Sequence, residues 1–190
     1  MLRWFAVVQG LVGFSAGIAL AQSPQAPAAP VTLDQVVVTG AEAKSAFERN
    51  MLRLDVAEKI AKACFDFARR NDHTVTVHIL DQFGKAIYVG RMDGEISDGV
   101  HSARLKAETA LYFREPTSVW TNRSRDDALM ALWVDQLGQF AVPGGLPIIV
   151  EDQLIGAIGV GGGPMDEACA REALITVLGR QPSLEPTGSQ

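Results

Sequence analysis

The sequence predicts an α+β domain, a mainly antiparallel sheet of about five strands flanked by helices. Two observations predict it. Neighbouring β-prone runs are joined by short turns rather than helical crossovers, which makes them hairpins and the sheet antiparallel. Segments of helical period stand before, between and after those hairpins, so helices are available to cover the sheet.

Taken in order, Arg53 to Arg70 carries Val56, Ile60, Cys64 and Phe67 at helical spacing, and Asn71-Asp72 ends it. Thr74 to Leu80 is β-branched and alternating, with Val75, Val77 and Ile79 on one face and Thr74, Thr76, His78 and Leu80 on the other. Asp81-Gln82-Phe83-Gly84 has the Asp-first, Gly-last chemistry of a turn, and Lys85 to Gly90 returns as the second strand. A polar loop, Arg91-Met92-Asp93-Gly94-Glu95, leads into a helix over 98–112 with Ser97 or Asp98 as its cap. Glu115-Pro116-Thr117 ends that helix and opens another helical stretch through Leu132. After the sharp connector Pro143-Gly144-Gly145-Leu146-Pro147, two or three strands follow. Ile148-Ile149-Val150 and Leu154–Val160 form a hairpin around Glu151-Asp152-Gln153. Gly161-Gly162-Gly163-Pro164 then delivers the chain into a last helix, Met165–Leu178, with Pro164 in its first turn.

Residues 1–21 read as a signal peptide. Arg3 supplies the basic start, Trp4 to Leu20 the apolar run and Ala19-Leu20-Ala21 a small-x-small cleavage site. The alternative is a membrane anchor, which needs about 17–25 apolar residues. The small residues Gly10, Gly13, Ser15, Ala16 and Gly17 and the cleavage pattern favour removal, hence a periplasmic or secreted protein. Residues 22–49 form a Pro/Ala/Gln-bearing flexible arm, 50–180 the folded domain, and 181–190 a loose tail. In the arm, Val36-Val37-Val38-Thr39 resembles the TonB box of outer-membrane receptors, although the chain has no room for a receptor barrel. A chance β-prone segment is the preferred reading, and addition to a membrane or sensor partner as an edge strand the alternative.

The chain has 17 Lys and Arg against 22 Asp and Glu, a net charge of −5, and losing Arg3 makes it one unit more acidic. With no basic block, nucleic acid is not expected as a partner. The 2 cysteines, Cys64 and Cys169, lie too far apart in sequence for a local metal motif. Both are expected free and buried, with a bridge as the alternative.

Four stretches carry a resemblance: ILDQFGKAIYVGRMDG, ARLKAETALYFREPT, PGGLPIIVEDQLIGAIGVGGG and MDEACAREAL. Together, and in this order, they resemble the GlcG/HbpS family of small haem-binding-like proteins over roughly residues 54–180. The resemblance implies a profilin-like α/β sandwich, commonly assembled into homo-oligomers. Its functions are diverse: haem binding (including an exported member that works with a sensor kinase), domains fused to cobalamin-processing enzymes, and companions of glycolate or alcohol oxidation.

Candidate site residues follow from chemistry. Arg91 would clamp a carboxylate such as a haem propionate, or pair with Asp93 to fix the loop. Lys106 would neutralise a bound acid or act as a base, or else lie exposed with its stem on apolar surface. Of His73, His78 and His101, the last is the candidate haem-iron ligand, with Met92 and Phe113 as apolar wall; the histidine spacing matches no zinc motif. The run from Gly156 to Gly163 is no dinucleotide fingerprint, because a hairpin precedes it. Its glycines would offer helix-start amides to an anion or permit close packing at a subunit interface. The leading expectation is a binding protein for haem or a related acidic cofactor. The alternatives are a cofactor-independent enzyme moving protons among Asp93, His101 and Lys106 on a small oxygenated acid, and an interaction protein acting through the arm.

Overall fold

The computed structural model describes residues 50–181. The leader, the arm with its TonB-box-like segment, and the tail beyond Gln181 lie outside the described residues. The elements are α1 (Leu54–Arg70), β1 (Thr76–Asp81), β2 (Ala86–Arg91), α2 (Ser97–Phe113), α3 (Thr117–Arg125), α4 (Ala128–Gln136), β3 (Gly145–Val150), β4 (Gln153–Gly161) and α5 (Asp166–Leu178). The sheet has four strands in the order β2-β1-β4-β3, and every pairing is antiparallel.

Four strands rather than about five is a correction. The 9-residue β4 pairs with β1 over Gly156–Gly161 and with β3 over Gln153–Gly159, so one long strand joins the two hairpins and no further strand is present among the described residues. β3 also starts inside the expected connector, at Gly145. Two helix starts differ from expectation. The N-cap of α2 is Ile96 and makes no side-chain cap bond, while α5 starts at Asp166, leaving Pro164 ahead of it. The helical stretch after Pro116 is two helices, broken where the Asp127 carboxylate accepts the Met130 N–H at 2.9 Å and so restarts the chain as α4.

Helices α1 and α5 pack on one face of the sheet and α2 on the other. The first face carries the larger core: Ile60, Ala61 and Cys64 of α1 and Ala170, Ala173 and Leu174 of α5 close over Val77, Ile79, Ile148, Ile158 and Val160. Each Ile or Leu fully buried there contributes about 1.5–3 kcal/mol. β1 is central and covered on both faces, so all six of its residues are buried. Its alternation separates two buried layers rather than core from solvent, and Thr76 and His78 lie in the layer toward α2.

The expectation of free cysteines is overturned. Cys64 and Cys169 form a disulfide, with Cα atoms 5.0 Å apart across 105 residues of sequence. The cause is the side-by-side packing of α1 and α5, which brings two buried positions within bridging distance.

The glycines of β4 also find a role within the chain. A Cβ at Gly159 would overlap the Ala103 carbonyl, and one at Gly161 the Gly99 carbonyl. α2 presents Gly99, Ala103, Ala107 and Ala110, a small-residue face at i,i+4 and i,i+3 spacings, and sits directly on that bare backbone. Among the described residues no helix is long and apolar enough to cross a membrane.

Candidate functional site

The loop before α2, the flank of α2, the segment after α4 and the β4–α5 junction line an open cavity of about 350 Å³. It is lined by Glu95, Asp98, Lys106 and Asp166 among polar groups and by Ile96, Phe140 and Val142 among apolar ones. Lys106 projects from the middle of α2 and Asp166 opens α5, so the packing of these two helix segments around the sheet makes them partners. The Lys106 Nζ donates to Asp166 Oδ2 at 2.5 Å, and the two side chains are only 5% and 3% exposed. The other carboxylate oxygen of Asp166 accepts the Gly163 N–H at 2.9 Å. Burial pushes the Asp166 carboxyl above its ordinary value, against the opposing pull of the Lys106 ammonium and the Gly163 and Gly162 amides.

Glu95 also lines this pocket and is 8% exposed. Its Oε2 accepts from the Thr74 hydroxyl at 2.8 Å. Its Oε1 is buried and has no hydrogen-bond partner among the described residues. Three carboxylates against one ammonium make the cavity acidic, and the ammonium is already neutralised. No His, Cys, Met or Tyr lines it, so it offers haem iron no ligand. Haem does not fit this cavity.

A second cavity, of about 370 Å³, lies beside α1 and is lined by Phe65, Arg69, Arg91, Met92 and Asp93. Arg69 is also bonded to Asp66 at 3.0 Å. Two guanidinium groups on one cavity against a single lining carboxylate suit an acid, and the half-buried Met92 brings a thioether, a haem-iron ligand type. The donor set here fits an acidic tetrapyrrole in chemistry.

The structure therefore brings Arg91, Met92 and Asp93 together and puts the other candidates elsewhere. Lys106 lines the acidic cavity. His101 is exposed and lines neither cavity, because five residues along α2 turn it roughly 140° away from Lys106. Phe113 stacks on Trp120 with ring centroids 3.8 Å apart, in a cluster with Trp133 that ties α2 to α3 and α4. Asp93, His101 and Lys106 thus form no single constellation for proton transfer. His78 is buried beneath α2. Desolvation holds its imidazole below the ordinary range, with Glu108 opposing and Arg104 assisting. Among the described residues no group of three or more His, Cys, Asp or Glu is placed to hold a metal ion.

Two residues escaped sequence reasoning. In sequence Asp166 is a helix-start carboxylate suited to the α5 dipole, and only the adjacency of α2 and α5 makes it the partner of Lys106. Glu95 carries no local signal, for it closes a polar loop that reads as solvated.

Comparison with known proteins gives a consistent picture. The family model described as haem degrading protein HbpS-like matches residues 52–175. Protein GlcG of Escherichia coli K12 is 29% identical over 113 residues, covering 58% of this chain and 81% of its own length. The crystal structure of a double mutant of HbpS from Streptomyces reticuli is similar at a TM-score of 0.65 and 29% identity, covering 79% of this chain and 97% of that one. A solved PduOC complex with haem shares the fold at a TM-score of 0.64 and 22% identity, covering 67% and 96% respectively.

Proposed function

The chain belongs to the HbpS-like family, and from that premise we propose that it is an exported binding protein for haem or a related acidic cofactor. The observation that carries the reading is the cavity in which Arg69, Arg91, Met92 and Phe65 converge. Arg91 is exposed at the end of β2 and presents a guanidinium that binds a carboxylate in two parallel hydrogen bonds; Arg69 adds a second positive charge. Met92 and Phe65 supply apolar and polarisable wall. Bound haem would supply a redox-active iron, and the role of these residues is to hold its acidic edge and shield one face. Export is supported by the leader and by the Cys64–Cys169 disulfide, since such bonds persist in oxidising compartments.

Titration of the purified protein with haemin tests the proposal. A saturable Soret shift is expected, weakened about fivefold or more by Arg91→Gln through loss of a charge-assisted hydrogen bond. Absence of any saturable change would overturn it. A second reading rests on the exposed imidazole of His101, which shares the outer ridge of α2 with Leu105 and the exposed Tyr112. If His101→Ala abolishes the shift while Arg91→Gln leaves it intact, the ligand sits on that ridge instead.

A further inference from the structure

We propose that the outward face of α4 is a self-association surface, occupied by the same face of a second copy of this chain across a two-fold axis. The 9 residues of α4 read ALMALWVDQ, and Val134 is the one that is buried. A surface helix ordinarily turns an apolar stripe inward and a charged face outward, whereas a helix apolar all round belongs in a core. α4 packs mainly on α3, with Val134 as its inward anchor. Leu129, Leu132 and Trp133, at i, i+3 and i+4, form an outward stripe and are 75%, 54% and 46% exposed.

The patch continues onto α2. Tyr112 is 57% exposed and meets Phe113 edge-on at 5.0 Å, and Phe113 lies 6.1 Å from Trp133. The inner part of this aromatic cluster is already occupied. Trp120 carries Phe113 at 3.8 Å and the Arg123 guanidinium at 4.6 Å, and Arg123 is held in turn by two bonds to Glu115. Leu129, Leu132, Trp133 and Tyr112 remain open, and none of them lines either cavity described above.

Area and charge decide the occupant. With about 150–250 Å² for a fully exposed aromatic side chain, these four expose roughly 450 Å². A two-fold contact buries the same patch twice, so the four side chains alone give roughly 900 Å², before any rim is counted. That is close to the about 1,000 Å² a stable interface must clear. The match is automatic, because a two-fold axis sets one apolar surface against itself. Around the patch stand Arg125, Asp126, Asp127 and Asp135, all exposed, three carboxylates against one guanidinium. Such a rim repels anionic lipid headgroups, which argues against a membrane surface as occupant. It also sets a salt signature: the two rims carry the same sign, so screening should tighten the association.

Sedimentation equilibrium of the purified protein, over a range of concentrations at low and high salt, tests the proposal. Reversible self-association that tightens with salt is expected. Leu129→Glu/Leu132→Glu, two changes at exposed positions, should weaken it about tenfold or more. Leu132→Cys keeps an apolar residue at the centre of the face. Since Cys64 and Cys169 are bridged, it adds one free thiol near the axis. Mild oxidation should then link copy to copy, while Lys59→Cys, on the exposed side of α1, should give no such link. The cross-link does not depend on the folding of the double variant. A monomer at every concentration, association unchanged in the double variant or weakened by salt, or linkage at position 59 as readily as at 132 would overturn the proposal.

Discussion

Lys106 and Asp166, 60 residues apart in sequence, meet as a buried ion pair at 2.5 Å between the middle of α2 and the first turn of α5. The contact joins the helix on one face of the sheet to a helix on the other, past the end of β4. An ion pair so shielded from water is held by geometry, since each ion loses its solvation on burial and regains only what its partner provides.

Removing one partner should therefore be costly and removing both should not. Lys106→Met leaves the Asp166 carboxylate buried without its counter-ion, and a loss of about 3–5 kcal/mol in unfolding free energy is expected. The double variant Lys106→Met/Asp166→Leu should recover most of it. Urea denaturation of the three proteins at neutral pH checks the cycle. Equal losses in the single and double variants would contradict it.

Asp166 has a raised carboxyl, so the folded chain binds a proton at pH values where the unfolded chain has released it. Its contribution is fully present below 3.8 and is lost as pH rises through the folded value. The deficit of Lys106→Met should accordingly shrink as the pH is lowered toward 3.8, because a protonated Asp166 needs no counter-ion. Unfolding curves across that range read it directly.

His78 works in the other direction. Burial lowers its imidazole below 6.5, so the unfolded chain binds the proton first and stability is lost as pH falls from 6.5 through the folded value. His78→Val removes the titrating group from the layer under α2 and should flatten the stability profile in that window. A slope identical to that of the parent protein would assign the pH dependence elsewhere.

The disulfide closes a loop of 105 residues in sequence separation. Replacing Cys64 and Cys169 by Ala should cost about 2–5 kcal/mol, seen as a lower guanidinium midpoint. Because both cysteines are buried, the folded parent protein should resist reductant until partly unfolded, which thiol titration in native buffer will show.

Gly159 and Gly163 give a paired prediction. A methyl group at Gly159 meets the Ala103 carbonyl and the Ala107 amide, two backbone groups that cannot step aside, whereas nothing lies near a Cβ at Gly163. Gly159→Ala should destabilise by about 3 kcal/mol, and Gly163→Ala by about 0.5 kcal/mol or less. Thermal unfolding of the two variants separates seat from spacer.

Most elements were legible because their signals are local. The turn at Asp81–Gly84 is written in side chains that bond the neighbouring backbone: Asp81 accepts the Phe83 and Lys85 amides, each at 2.8 Å. The helix from Leu54 to Arg70 is written in the spacing of Ile60, Cys64 and Phe67. The start of β3 was not legible, since Gly145 and Pro147 read as a connector; Gly145 is in fact required by the Lys106 carbonyl lying against it. Nor was the environment of Lys106, which the sequence leaves open between a site lysine and an exposed stem until its partner Asp166 is known.

By itself, the sequence determined the hairpins, the helices and the family, all of which follow from periodicity, turn chemistry and ordered motifs within short windows. Only the tertiary structure decided which residues meet. It paired Cys64 with Cys169 and Lys106 with Asp166, and it divided the candidate residues between an acidic cavity, a guanidinium-lined one and an outer helix ridge. The physical reason is direction: a residue's azimuth on its helix and the packing of that helix on the sheet set where its side chain ends. Partners 60 and 105 residues away leave no trace in local spacing.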